Sequence, residues 1–467
     1  MANVATIHPK ISPQLTLYNF INDLSEGYDG VIRGAEKYLP KQLSEESDDR
    51  VYNARLKLAT YLDSFNPIID GINGLVFQQP IKIENEDQDL QAFLKNSTVD
   101  GKNFNSFIKK YFKSALKKGR SYAYVDIPQG AGQYATDVQR REAGMKPFVT
   151  FLRPEQIINF RTKIQNGKEV ITMVVIEEVI EVENAENEFA VDYETQYRVL
   201  RIGSVSVYNE QGEMVGQEIS TGLSYIPLVE LNLDEDGCLF DAKPPFLDVG
   251  RLGIDNYQMF SDCRWSANTA CIPFLVFTGW QDEEAKNTVV GPNTGKTTSN
   301  DKANLKYLDY EGKGIKLSLE LIDKLEKNIN QIGLSIVTSD RTQITATEKT
   351  IDSIQTQSKL QNWVDSLKMA IRQILKYAMD YENKKFDGEI EIKADIIQNA
   401  LSPQEMLAYI KLAESRKLST ATLLKLLVSR GALFEDLDVD NELDEIESED
   451  TAFREMVIEE WHHYKKS

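Results

Sequence analysis

The side chains best suited to chemistry are scarce or badly placed in this chain of 467 residues. Its three histidines, His8, His462 and His463, all lie near the ends, which removes the commonest general base and metal ligand from the body of the protein. His462 and His463 are neighbours, and neighbours on a helix point about 100° apart, so they read as an exposed tail pair rather than as ligands to one ion. Cys238, Cys263 and Cys271 are odd in number and widely spaced. They fit neither a disulfide framework nor a CxxC redox or zinc site, and a reducing, intracellular site of synthesis is expected. Carboxylates abound without any couple standing out, and no Ser, Cys or Thr nucleophile signature occurs. The chain is read as non-enzymatic, with no cofactor and no metal.

Two stretches remain. Gly291-Pro-Asn-Thr-Gly295-Lys296-Thr297 approaches a phosphate-binding loop, but such a loop needs four residues between its glycines so that successive N–H groups wrap the phosphate. This one has three, and no helical pattern follows to supply an N-terminus; it reads as a flexible basic loop. Residues 102–120 carry seven bases and no acid. Lys109, Lys113 and Lys117 recur every four residues beside Lys110 and Lys118, a pattern that fits either a solvated face or a contact with phosphate or an acidic surface.

The whole chain is acidic, with 73 Asp and Glu against 53 Lys and Arg for a net charge of −20. Ten of those acids, with no base, lie in 435–450. A chain of this sign repels nucleic acid unless its bases are gathered. At 41% hydrophobic and 27% charged it is neither collagen-like nor wholly disordered, and its length suggests about three structural units. The N-terminus lacks a signal-peptide pattern, and no apolar run approaches the roughly 20 residues that span a bilayer.

Periodicity supplies the elements. A helix is expected from Ser47 to about Asn66, with Pro67 marking its end or a kink and a short second helix following before Pro80, and an amphipathic one over 102–120. Strands follow at Tyr122–Ile127, Phe148–Arg153, Val170–Val182, Gln196–Tyr208 and Ile226–Leu233, with a mobile polar loop at 128–146. Pro244-Pro245 then opens a segment to about Asn268. Phe246, Val249, Gly253, Tyr257, Phe260 and Ala267 form one stripe along it, and Leu247, Ile254 and Trp265 another. A helix apolar on two faces needs neighbours on both sides, and this one would be roughly 37 Å long. Strands at 272–280 and Lys306–Tyr310 flank a polar loop. Helices follow at Leu317–Gly333 and Ala346–Asn383, separated by an aperiodic stretch. A strand at Glu389–Ile392, a capping box at Ser402-Pro-Gln-Glu405 and a helix capped by Ser419 complete the pattern.

This order of elements resembles the portal proteins of tailed bacteriophages, in particular a portal subfamily long carried as a family of unknown function. The resemblance runs from about Tyr38 to Tyr381. It rests on Tyr38-Leu-Pro40, Arg55 and Tyr61, Asp70-Gly71, Gly74-Leu75-Val76-Phe77 with Pro80, and Gly119-Arg120 leading to Val125-Asp126-Ile-Pro128. Further pieces are Pro154-Glu155 with Ile157-Ile158-Asn159-Phe160-Arg161, Pro244-Pro245-Phe246-Leu247-Asp248, Tyr257, Ser261-Asp262, Gly291-Pro292, Tyr307-Leu308 with Gly312-Lys-Gly314, and Thr345-Ala346-Thr347-Glu348.

The resemblance implies an α+β portal fold: a mixed α/β wing at 1–243 with 384–400, stem helices at 244–268 and 317–333, and a small β-containing clip at 269–316. A tunnel loop would occupy 334–346, a long wing helix 347–383, and a helical crown with an acidic tail 401–467. It implies a homo-oligomeric ring of twelve at the capsid portal vertex, synthesised and assembled in the host bacterial cytoplasm. Double-stranded DNA would pass the channel non-specifically. The partners would be the large terminase, the head–tail adaptor, and the major capsid and scaffolding proteins, with no membrane. Ser339, Arg341, Thr342 and Gln343 would then face the channel, and Asn293, Lys296, Lys302 and Lys306 the motor or adaptor. Lys109, Lys110, Lys113, Lys117 and Lys118 would form a basic wing helix. Another virion structural protein and a P-loop-like nucleotide-binding enzyme are the alternative readings.

Overall fold

Two elements that follow each other without a spare residue set up the core. Helix α6, Phe104–Lys118, starts where the Asn103 side chain accepts the Ser106 N–H at 2.9 Å, and it ends on Gly119 at φ 81°. A side chain at Gly119 would be strained at that φ and would meet the Lys243 carbonyl oxygen 2.7 Å away, so glycine is required. Strand β2, Arg120–Asp126, begins at the next residue. It is the middle strand of an antiparallel sheet between β3, Phe148–Leu152, and β9, Leu228–Asn232. Residues 120–125 are buried throughout, because α6 covers one face of this sheet and the long helix α9, Ala346–Asp380, packs on β2 and β9.

The computed structural model describes residues 3–43, 45–85, 87–128, 139–140, 143–184, 187, 189–270, 274–280, 300, 302–308, 313–334, 346–392, 409–413, 415, 417–429, 439 and 441–443. It divides into a unit of Met1–Gly74 with Pro80–Ile392 and a second of Leu75–Gln79 with Lys393–Ser467. Before α6, in chain order, come α1 (Ser12–Ser25), α2 (Tyr28–Arg33), α3 (Asp49–Leu58), α4 (Phe65–Val76), β1 (Lys82–Glu84) and α5 (Gln88–Lys95). In the second unit, α10 spans Thr420–Ser429, with its Thr422 N–H capped by the Ser419 hydroxyl at 3.2 Å.

A second sheet is an antiparallel meander of β4 (Ile157–Gln165), β5 (Lys168–Glu183), β6 (Val191–Arg201), β7 (Ser204–Asn209) and β8 (Met214–Ser220). The first unit's core fills the space between the sheets with Tyr122, Leu152, Phe160, Val174, Leu200 and Phe240. Four rings stack through it in series: His8 on Phe160 at 4.2 Å, Phe160 on Phe240 at 4.1 Å, and Phe240 on Tyr122 at 5.7 Å. Strand β12, Glu389–Glu391, pairs antiparallel with β1.

Several expectations need correction. The helix expected over 47–66 is broken: α3 stops at Leu58, and the Asp63 carboxylate accepts the Phe65 and Asn66 N–H groups at 3.1 Å to start α4. Pro67 therefore sits in a first turn, where its missing N–H costs nothing, rather than at a helix end. The run 196–208 is a hairpin, turned at Gly203 with φ 79°. The periodicity also missed α1, α2, β1, α5, β4 and β8; β8 is nearly all exposed and carries no alternation to find. Residues 129–138, the loop 281–299, the stretch 335–345, the capping box at 402–405 and the tail 444–467 lie outside the described residues.

Candidate functional site

Helix α7, Leu247–Ala270, leads into a β-ribbon of β10 (Phe274–Thr278) and β11 (Asn304–Leu308), and helix α8, Lys313–Leu334, packs back along α7. Their bounds lie within a few residues of the helices and strands expected from the periodicity. Two independent ties root α7 in the first unit. Gly250 lies so close to α1 that a Cβ there would sit 2.4 Å from a Leu24 methyl. Arg55 of α3 is fully buried and bonded at all three of its nitrogens: Nε and Nη2 donate to the Glu45 carboxylate at 2.8 and 2.9 Å, Nη2 to the Pro40 carbonyl at 2.6 Å, and Nη1 to Asp262 of α7 at 2.5 Å. A buried guanidinium is tolerable only with its donors satisfied in this way.

The two apolar stripes of α7 are real, but in its first three turns the same chain covers both. Leu247, Val249, Ile254 and Tyr257 are buried, with α1, α3 and α8 packed around the helix. What remains outside is a charged stripe of Asp248, Arg251 and Asp255. Helix α8 is the element with apolar surface to spare. Ile322 and Ile329, seven residues apart, form its buried stripe. At 3.6 residues per turn, Leu317 and Leu321 fall to one side of that stripe and Leu319 to the other, exposed by 60%, 45% and 47%.

The candidate residues named from sequence are dispersed. Ser339, Arg341, Thr342, Gln343, Asn293 and Lys296 lie outside the described residues. Lys302 and Lys306 are exposed on the ribbon side of the column, Lys306 opposite Val276 in the β10–β11 register. On α6 the five lysines do not form one face. Lys118 is buried against Glu155 at 2.6 Å, Lys113 pairs with Asp70, and Lys117 donates to Asn66 at 3.0 Å. Burial holds Lys117 and Lys118 below the usual lysine range, partly offset for Lys118 by Glu155. Lys110 lies 4.7 Å over the Phe151 ring, and it and Lys109 are exposed. The acids that balance this helix sit on other elements, where a count along the helix could not see them.

Sequence reasoning also missed a polar cluster under β9. Glu230 accepts the Tyr122 hydroxyl at 3.0 Å and the Phe240 N–H at 3.3 Å, and the Arg120 guanidinium lies between the Tyr18 and Tyr122 rings at 5.9 and 5.8 Å. No signal marks it in the sequence, since its members come from three stretches that lie more than a hundred residues apart. A cleft of about 600 Å³ beside the foot of α7 is lined by Asp234, Glu235, Asp236 and Asp248 with Lys243 and Lys359. Among the described residues no group of His, Cys, Asp and Glu is placed to hold a metal, and no helix is long and apolar enough to cross a membrane.

The family described as "Domain of unknown function (DUF4055)" matches residues 245–382, from the start of α7 to just past α9. No curated protein matches the chain. Among solved structures, it is similar to a chain in the virion of a native gene transfer agent particle, with TM-score 0.42 and 11% identity over 78% of this chain and 88% of that one. A chain in the neck of an empty particle of that kind, computed with C6 symmetry, gives 0.42 and 11% over 79% and 90%. One in the neck of a native particle, computed with C12 symmetry, gives 0.40 and 12% over 78% and 88%.

Proposed function

We propose that the chain is one subunit of a portal ring in a phage-like virion, a channel through which double-stranded DNA is packaged, retained and ejected. The observation that carries this reading is the column α7–ribbon–α8. It is rooted firmly at one end, and α8 bears leucines on both sides of the stripe it buries. Apolar surface on opposite flanks of one helix calls for two neighbours, and a head-to-tail interface that closes on itself supplies them. Among the described residues, the motifs resembling portal proteins fall largely on this column, on β2 and β4, and on helices α3 and α4.

On this reading the acidic balance suits passage rather than grip. Each phosphate neutralised by Lys or Arg releases counterions and adds affinity, so a mostly acidic wall with sparse bases keeps DNA mobile. Arg341 and Lys296 are the bases assigned to the bore and the clip, and the ribbon carrying Lys302 and Lys306 is the docking surface for terminase and adaptor. The subunit acts without catalysis or cofactor. Twelve copies of 53.1 kDa make a particle of roughly 640 kDa. Native mass spectrometry of the purified chain is expected to find that mass, and negative-stain images a ring with a central hole. A stable monomer, or a shell of hundreds of copies, overturns the reading.

A further inference from the structure

Strand β5 is 16 residues long, about 50 Å at 3.4 Å per residue, and its two ends carry opposite charge. Its pairing with β4 ends at Ile176, and the pairing of β6 with β7 starts only at Gln196. Residues 177–183 and 191–195 therefore pair with nothing but each other, as a two-stranded arm leaving the sheet. Residues 177–195 contain eight acids and no base. The register puts Val179, Tyr193 and Val191 on one face, interleaved with Glu181 and Glu183, and Tyr193 is 67% exposed. A two-stranded ribbon is marginal by itself in water; one that shows aromatic and branched side chains to solvent lacks the surface that would cover it.

The other end of β5 is the turn from β4. Residues 161–169 hold the exposed Arg161, Lys163 and Lys168 against the single acid Glu169, which lies opposite Ile164 in the register, for a net +2, and Ile164 is 76% exposed. Acid with apolar side chains at one end thus matches base with an apolar side chain at the other, on one rigid strand. A surface that complements a different surface of the same molecule makes head-to-tail contacts, the kind that close into rings.

We propose that the β5–β6 arm of each copy docks on the β4–β5 turn of the next copy, acids against bases around Ile164. The inference rests on the ring reading and adds a second contact to it, far along the chain from α8. Two variants test it. Glu181→Lys/Glu183→Lys/Asp192→Lys/Glu194→Lys takes residues 181–194 from −6 to +2 and gives an outer arm and a turn that are both basic, and Arg161→Glu/Lys163→Glu/Lys168→Glu gives both acidic. At about 0.1 M salt, each variant alone should lose ring by about tenfold, because like charges now meet. An equimolar mixture should recover ring to within about twofold of wild type, in alternating order, since each arm then finds an opposite turn. All the substituted positions are exposed, so circular dichroism and melting of the variants should match wild type. A wild-type ring that the arm variant forms equally well, or a mixture that stays as poor as its components, overturns the docking while leaving the ring intact. A wild-type chain that forms no ring overturns both.

Discussion

Glu230 shows how one residue ties the loop before α7 to the core. Its carboxylate accepts the Phe240 N–H, and the Phe240 ring stacks on Phe160 and Tyr122. Burial pushes this carboxyl up from its ordinary 4.5 to about 7, against the opposing pull of Arg120 and of the hydrogen bonds from Phe240 and Tyr122, with Asp241 adding a small upward push. The folded chain therefore holds a proton that the unfolded chain has released between pH 4.5 and 7. Stability from this group is full at low pH and falls as pH rises through about 7. Glu230→Gln keeps an acceptor and removes the charge. It is expected to be more stable than wild type at pH 8 by on the order of 3 kcal/mol, at about 1.4 kcal/mol per pKa unit, and about equal at pH 4. Urea unfolding at both pH values measures the gap; an equal gap at both would show that ionisation is not its cause.

At the scale of elements, α8 divides into a buried stripe that serves folding and exposed leucines that serve the proposed assembly. Leu317 and Leu321 contribute little to the single chain, so Leu317→Lys/Leu321→Lys should leave its unfolding free energy within about 0.5 kcal/mol and abolish the roughly 640 kDa particle. Ile322→Ala, at a buried position, should cost the chain about 2–4 kcal/mol by the same urea titration. Swapped outcomes would mean that α8 packs the other way round. Much of this helix pair was legible in sequence: the bounds of α7, α8 and α9 follow from their periods, and Leu360, Trp363, Leu367, Ile371 and Ile374 are all buried as their spacing predicts. The partner of each face was not legible. Periodicity announces that α7 is apolar on two sides, but only the fold shows Leu24 against Gly250 and Asp262 against Arg55. Pro67 misled for a similar reason, since proline marks both ends of helices and Asp63, not the proline, decides which.

For the whole molecule the net charge of −20 is a sum of separate blocks. Residues 102–120 hold +7, 177–195 hold −8 and 435–450 hold −10; the first is spent mostly on internal partners, and the second stands out on an arm. The same count along the chain could have found the arm, but not that it projects. In the proposed ring, bringing twelve copies together opposes their net charge, whereas the proposed arm–turn contact attracts. Ring yield is therefore expected to rise with salt from about 0.01 M, where the screening length is about 30 Å, and to fall again toward 1 M, where it is about 3 Å. A yield measured by light scattering that changes in one direction only would remove one of the two terms. The bond from the Trp363 indole N–H to the Leu233 carbonyl, 3.0 Å long in a fully buried site, gives the experimenter an internal lamp. Because that indole sees no water until α9 lifts from β9, its emission colour, read in a variant with Trp265, Trp280 and Trp461 replaced by Phe, records the integrity of the sheet–helix seam while mass records assembly.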